Sequence, residues 1–108
     1  MAKNKSILQD TKECYLCRME AEKMGYFGRL PDTGLDKHHF IHGNANRQLA
    51  EKYGLYAYMC RERHHIYGPE APHQNPEVDL MLKRIAQQAF EDIYGHDKYM
   101  EIFQKNFL

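Results

Sequence analysis

Between Asn75 and Gly95 the apolar residues Val78, Leu82, Ile85, Ala86, Ala89 and Ile93 recur every three or four positions. That spacing predicts one apolar stripe along a helix. Its ends agree: Asn75 suits the N-cap, Pro76 the first helical position, Glu77 and Asp79 the first turn, and Gly95 the C-cap. A last short helix over about 97–106 places Tyr99, Ile102 and Phe103 on one face. Upstream the patterns are shorter. KHHFIHG, 37–43, and LYAYMC, 55–60, read as strands. NANRQLAEKYG between them reads as a helical segment closed by Gly54, with Asn44 or Asn46 near its start. RMEAEKMG predicts a short helix ending at Gly25, and RERHHIYG, 61–68, one or two turns closed by Gly68. Residues 25–37 and PEAPHQNP, 69–76, are rich in breakers and read as loop and connector.

These elements predict an α+β fold in one domain: a loose polar arm over 1–13, a core over 14–75, and a helical segment over 76–108 packing on it. A chain of 108 residues, 43% apolar and 28% charged, supports a modest core that a staple would help. The formal net charge is zero, yet residues 1–66 hold 11 Lys/Arg against 8 Asp/Glu and residues 67–108 hold 4 against 7. The front half therefore leans toward an anionic partner. No stretch is long and apolar enough for a membrane span, and MAKNKSILQD lacks a signal-peptide core. The expected location is the cytoplasm, where thiols stay reduced, and three cysteines do not make a closed disulfide framework.

Cys14-x2-Cys17 has the spacing with which two thiolates grip one tetrahedral ion. A redox CxxC is the rival, but that motif follows a strand in a βαβ unit, and no such context surrounds it. Cys60 is the third thiol, and Cys60-x3-His64, or x4 to His65, completes a Cys3His zinc set. Spacing alone leaves open which of His64 and His65 it is. Histidines remain beyond this structural Zn2+: His38, His39, His42, His73, His96 and one of the second doublet. Taken singly, His42 and His73 read as surface or hydrogen-bonding residues and His96 as a turn residue. His38-His39 differs, because adjacent strand residues face opposite ways and two functional side chains there need two different jobs.

The order CxxC, strand with His-His, loop with Asn, strand ending in Cys, and short helix with His resembles the HNH endonucleases. The stretch from HHIYGPEAPHQNP to MEIFQKNFL looks like small phage-encoded members, some grouped with a RecA-dependent nuclease of recombination. The general resemblance covers about 14–75 and the phage-type resemblance runs on through the C-terminal segment.

The resemblance implies a small ββα-metal finger with a zinc knuckle, followed by two C-terminal helices. It implies a metal-dependent endonuclease that hydrolyses DNA phosphodiester bonds with one catalytic ion, acting in phage or prophage recombination or DNA processing. His39 would be the general base and Asn46 the loop residue that orients it. His38 and His65 would hold a catalytic divalent metal, Mg2+ first with Mn2+, Ni2+ or Zn2+ as alternatives, and His73 would be a third ligand. Cys14, Cys17, Cys60 and His64 would hold the structural zinc. Arg47, Arg61 and Arg63 lie closest to this site and are the candidate phosphate contacts; a solvated face that balances acids is the competing reading for each. The implied partners are DNA and a recombinase filament, with the chain a monomer or weak dimer. The competing function is a non-catalytic zinc-stabilised module that binds nucleic acid or protein. The histidines left over after zinc discriminate, since such a module needs only one.

Overall fold

The computed structural model describes residues 5–65, 68 and 71–108. The elements run α1 Tyr15–Lys23, β1 Leu35–His39, α2 Asn44–Tyr53, β2 Tyr56–Cys60, a π-helical turn Arg61–His65, α3 Pro76–Tyr94 and α4 His96–Phe103. The architecture is α+β: one antiparallel pair, β1–β2, with helices packed around it. No helix among the described residues is long and apolar enough to cross a membrane.

Local chemistry explains most boundaries. Cys14 is the N-cap of α1, its Sγ accepting from the Cys17 amide at 3.4 Å, so the first zinc-spaced pair sits on a helix start. Asn75 caps α3 by accepting from the Glu77 and Val78 amides, with Pro76 behind it. α2 begins at Asn44 itself, after Gly43, so neither Asn44 nor Asn46 is its cap residue.

Four expectations shift. The first strand covers 35–39, not 37–43: its pairing with β2 runs from Leu35 opposite Cys60 to His39 opposite Tyr56. The Phe40 amide instead donates to the Leu55 carbonyl at 3.0 Å, and Gly43 turns the chain at φ +100°. The last helix ends at Phe103, because Gln104 adopts a left-handed φ of 63°. The chain then doubles back, and the Phe107 amide donates to Gln87 Oε1 at 2.7 Å. On α3, Ile93 is 58% exposed; the stripe runs through Leu82, Ala86 and Phe90, and Phe90 meets Tyr99 and Phe103 of α4 where the core ends. Finally, the N-terminal arm is docked over its described part. The Ile7 amide donates to the Gly54 carbonyl at 2.9 Å, Ser6 Oγ donates to the Tyr56 carbonyl, and Gln9 Oε1 accepts from the Tyr58 amide at 2.9 Å. The last two bonds satisfy backbone groups that β2 does not spend on β1. Residues 1–4 of that arm, and Ile66 and Tyr67 of the predicted 61–68 turns, lie outside the described residues.

The core joins Phe40, Ile41, Leu55, Ala57 and Met59 to Leu82, Ala86, Phe90, Tyr99 and Phe103. The histidine-bearing end of the sheet sits at the edge of this core.

Candidate metal centres

β2 and the turn after it bring Cys60 and His64 to the start of α1. His64 Nδ1 lies 3.3 Å from Cys14 Sγ, 3.3 Å from Cys17 Sγ and 3.0 Å from Cys60 Sγ. The Cys17 and Cys60 sulfurs are 3.8 Å apart. Thiolates about 2.3 Å from one tetrahedral zinc would sit about 3.8 Å apart, so the spacing fits a zinc-sized ion. The four residues form a group that could hold a metal. His64 is fully buried, and Glu20 Oε1 lies 3.1 Å from its Nε2. That contact places the ring proton on Nε2 and leaves Nδ1 free to donate to an ion, the usual carboxylate–histidine–metal arrangement. Burial pushes the Cys14 and Cys17 thiols up from their ordinary range; a cation among them would hold them as thiolates. Spacing left His64 and His65 open; the geometry places His64 in this cluster.

His65 points elsewhere. Its Nδ1 lies 3.1 Å from Asp36 Oδ2, and Arg61 grips the same carboxylate with two bonds of 2.8 Å. The Arg61 bonds, with His65 adding to them, hold the Asp36 carboxyl below its usual range against the opposing effect of burial. His65 thereby joins His38 of β1 and His73 of the connector, with a ring nitrogen from each within 4.8 Å of the others. The ring centroids are 5.2, 5.3 and 4.9 Å apart. Three imidazoles on one tetrahedral ion at about 2.05 Å would have centroids about 5.2 Å apart. His38 is 2% exposed and its Nε2 has no hydrogen-bond partner. An unpaired buried ring nitrogen is costly unless something occupies it. Burial, and then the neighbouring His65, His73 and His42 charges, push His38 down to about 3, so this ring is neutral and able to ligate at neutral pH. Burial, with His65 and His42, lowers His73 as well.

His42 stands beside the trio, its ring 5.9 Å from His38 and 6.1 Å from His73, but its Nε2 meets Asp79 Oδ1 at 2.9 Å. The hydrogen-bonding reading of His42 fits. Lys83 holds the same Asp79 at 2.8 Å. Burial opposes ionisation of Asp79, and the bonds from Lys83 and His42 outweigh it. His96 pairs with Glu91 at 2.7 Å at the α3–α4 junction, a turn role.

The strand pleat sends His39 away from His38. Lys37 and His39 share a face with Tyr56 and Tyr58, opposite Asp36 and His38. Both histidines nonetheless line one open hollow of about 580 Å³ with Asp36, Lys37, His42, Arg47, His65 and His73. The Glu51 carboxylate of α2 lies 3.7 Å from His39 Nε2. Burial lowers His39, and Glu51 offsets part of that. Asn46 occupies the first turn of α2 and is not among the residues lining the hollow; Arg47 is. Arg61 is committed to Asp36, and Arg63 lies 3.5 Å from Glu20.

Sequence reasoning missed four carboxylates: Glu20, Asp36, Glu51 and Asp79. Asp36 alone had a local signal, since it sits two residues before His38 on the same strand face. No family model, no curated protein and no solved structure matches this chain.

Proposed function

We propose that the chain is a metal-dependent endonuclease that hydrolyses DNA phosphodiester bonds, with a structural zinc beside the catalytic ion. The observation that carries this reading is His38: a buried neutral imidazole with a bare Nε2, grouped with His65 and His73, while His39 opens onto the same hollow. A zinc-stabilised scaffold has no use for that second group.

His38, His65 and His73 would hold the ion, and Asp36 would fix His65. When bound, the ion would supply positive charge to the scissile phosphate and to the departing oxygen. Three imidazoles suit Zn2+, Ni2+ or similar ions better than Mg2+, which prefers oxygen ligands, so the order of candidate metals reverses from the one the resemblance suggested. His39, neutral at working pH, would take a proton from water as the new O–P bond forms. The P–O3′ bond breaks, leaving a 5′-phosphate and a 3′-hydroxyl. Arg47, exposed on the rim, is placed to meet the phosphate backbone. Arg61 and Arg63, already paired with acids, would serve the site's shape first. That pairing is also what favours the second reading, a zinc-stabilised module that binds without cutting.

Nicking of supercoiled plasmid by purified protein with Mg2+, Mn2+, Ni2+ or Zn2+, beside His39→Ala, tests the proposal. Cleavage by the wild type alone, with equal zinc content in both, supports it. Absence of cleavage on plasmid and single-stranded DNA, with and without a recombinase filament, moves the binding module ahead.

A further inference from the structure

Two residues that line the hollow, Lys37 and His39, share a carboxylate that the resemblance does not assign. Glu51 lies near the end of α2, one helical turn after Arg47, so both reach the same side of the site. Its Oε1 accepts from Lys37 Nζ at 2.8 Å. Its Oε2 faces His39 Nε2 at 3.7 Å. Lys37 is itself held, with Nζ 4.3 Å from the centre of the Tyr56 ring. His39 packs near the same ring, at 6.1 Å between centroids. Cation, carboxylate and imidazole thus follow one another around Tyr56 on one face of the sheet.

We propose that Glu51, aimed by Lys37, is the positioning residue of His39: it holds the imidazole as the Nε2–H tautomer and leaves Nδ1 as the proton acceptor. This rests on the nuclease reading for its role, though not for its geometry. A carboxylate can only accept a hydrogen bond, so at neutral pH it favours the tautomer that donates to it. The 3.7 Å separation is a fraction of an ångström beyond a hydrogen bond, and such contacts tighten as charge develops on the base. The Lys37 bond prevents the carboxylate from swinging away to water. Glu51, 3.7 Å from His39 Nε2, takes the orienting part expected of Asn46.

The test uses the zinc-loaded full chain. Long-range 1H–15N correlation of the imidazoles reads the His39 tautomer directly, without any cleavage. The wild type is expected to show Nε2–H. Glu51→Ala is expected to lose that preference and to lower kcat for plasmid nicking about 10- to 100-fold, the usual range for outer-shell partners. KM for DNA and metal content should not change. Glu51→Gln, whose amide oxygen still accepts from Nε2–H, should recover the tautomer and most of the rate. Should Glu51→Ala fail to fold, Lys37→Met, which frees the carboxylate, gives the same readouts. An Nδ1–H tautomer in the wild type overturns the inference. So does an unchanged tautomer in the variants, or a raised KM with kcat intact, which would make Glu51 and Lys37 a DNA-binding pair. If the wild type cuts no DNA, the nuclease reading fails by itself, and the tautomer still decides whether Glu51 holds His39.

Discussion

His64 and His65 are consecutive residues that serve different groups: His64 Nδ1 lies 3.0 Å from Cys60 Sγ, whereas His65 Nδ1 is gripped by Asp36 at 3.1 Å. The π-helical turn Arg61–His65 makes this possible by presenting the two rings in different directions. Each imidazole spends one nitrogen on a carboxylate, Glu20 or Asp36, and keeps the other for its cluster.

Cys60→Ala and His64→Ala are each expected to lose one tightly held zinc and to destabilise the chain by several kcal/mol, because binding at such sites is coupled to folding. Metal analysis with urea unfolding checks this. Retention of full zinc in either variant would contradict the cluster as the binding site.

Asp36→Ala removes the contact that fixes His65 and releases Arg61. Co2+ titration by visible absorbance, with the first site already zinc-filled, should show affinity at the trio weakened about 10- to 100-fold. The zinc at the cysteines should be unaffected. Equal Co2+ affinity in both proteins would mean that Asp36 merely balances Arg61.

Gly54 ends α2 at φ +74°, and an added Cβ would press on the Lys5 carbonyl of the docked arm. Gly54→Ala should therefore cost about 1–3 kcal/mol in urea unfolding, from backbone strain together with displacement of the arm. A change within a few tenths of a kcal/mol would show that the arm does not hold its place on β2.

Tyr99 is fully buried and its hydroxyl donates to the Lys105 carbonyl at 2.9 Å. Burial, aided by Glu91, pushes its pKa up to about 12. The unfolded phenol ionises near 10, so the folded state binds the proton more tightly. The stability this confers is complete below pH 10 and is lost as pH rises from about 10 to 12. Unfolding midpoints across that range should fall in the wild type and flatten in Tyr99→Phe, which also loses about 1 kcal/mol at neutral pH with the hydrogen bond.

What the sequence made legible follows from how local each signal is. The α3 caps and the Cys-x2-Cys spacing are set within a few residues, and both appear in the structure. β1 was shifted because KHHFIHG alternates poorly, and buried Phe40 and Ile41 answer to Leu55 and the core rather than to a strand partner. The histidine trio gathers residues 38, 65 and 73, whose grouping no spacing rule dictates; it was reached through resemblance and order. Glu20, Glu51 and Asp79 had no local signal. Each comes from a different element than its histidine partner, 12 positions away for Glu51 and 37 or 44 for the others, and packing brings them together.

The cysteine cluster also bears on the unfolded chain. Cys14 and His64 are 50 positions apart, so an ion bound between them would close a ring that contains α1, β1, α2 and β2. By the loop-entropy relation for covalent cross-links, a ring of that size is worth about 4 kcal/mol against the open chain. With an ion held there, the chain would gain the effect of a disulfide without forming one, and the link would be undone by a chelator or by acid, not by a reductant.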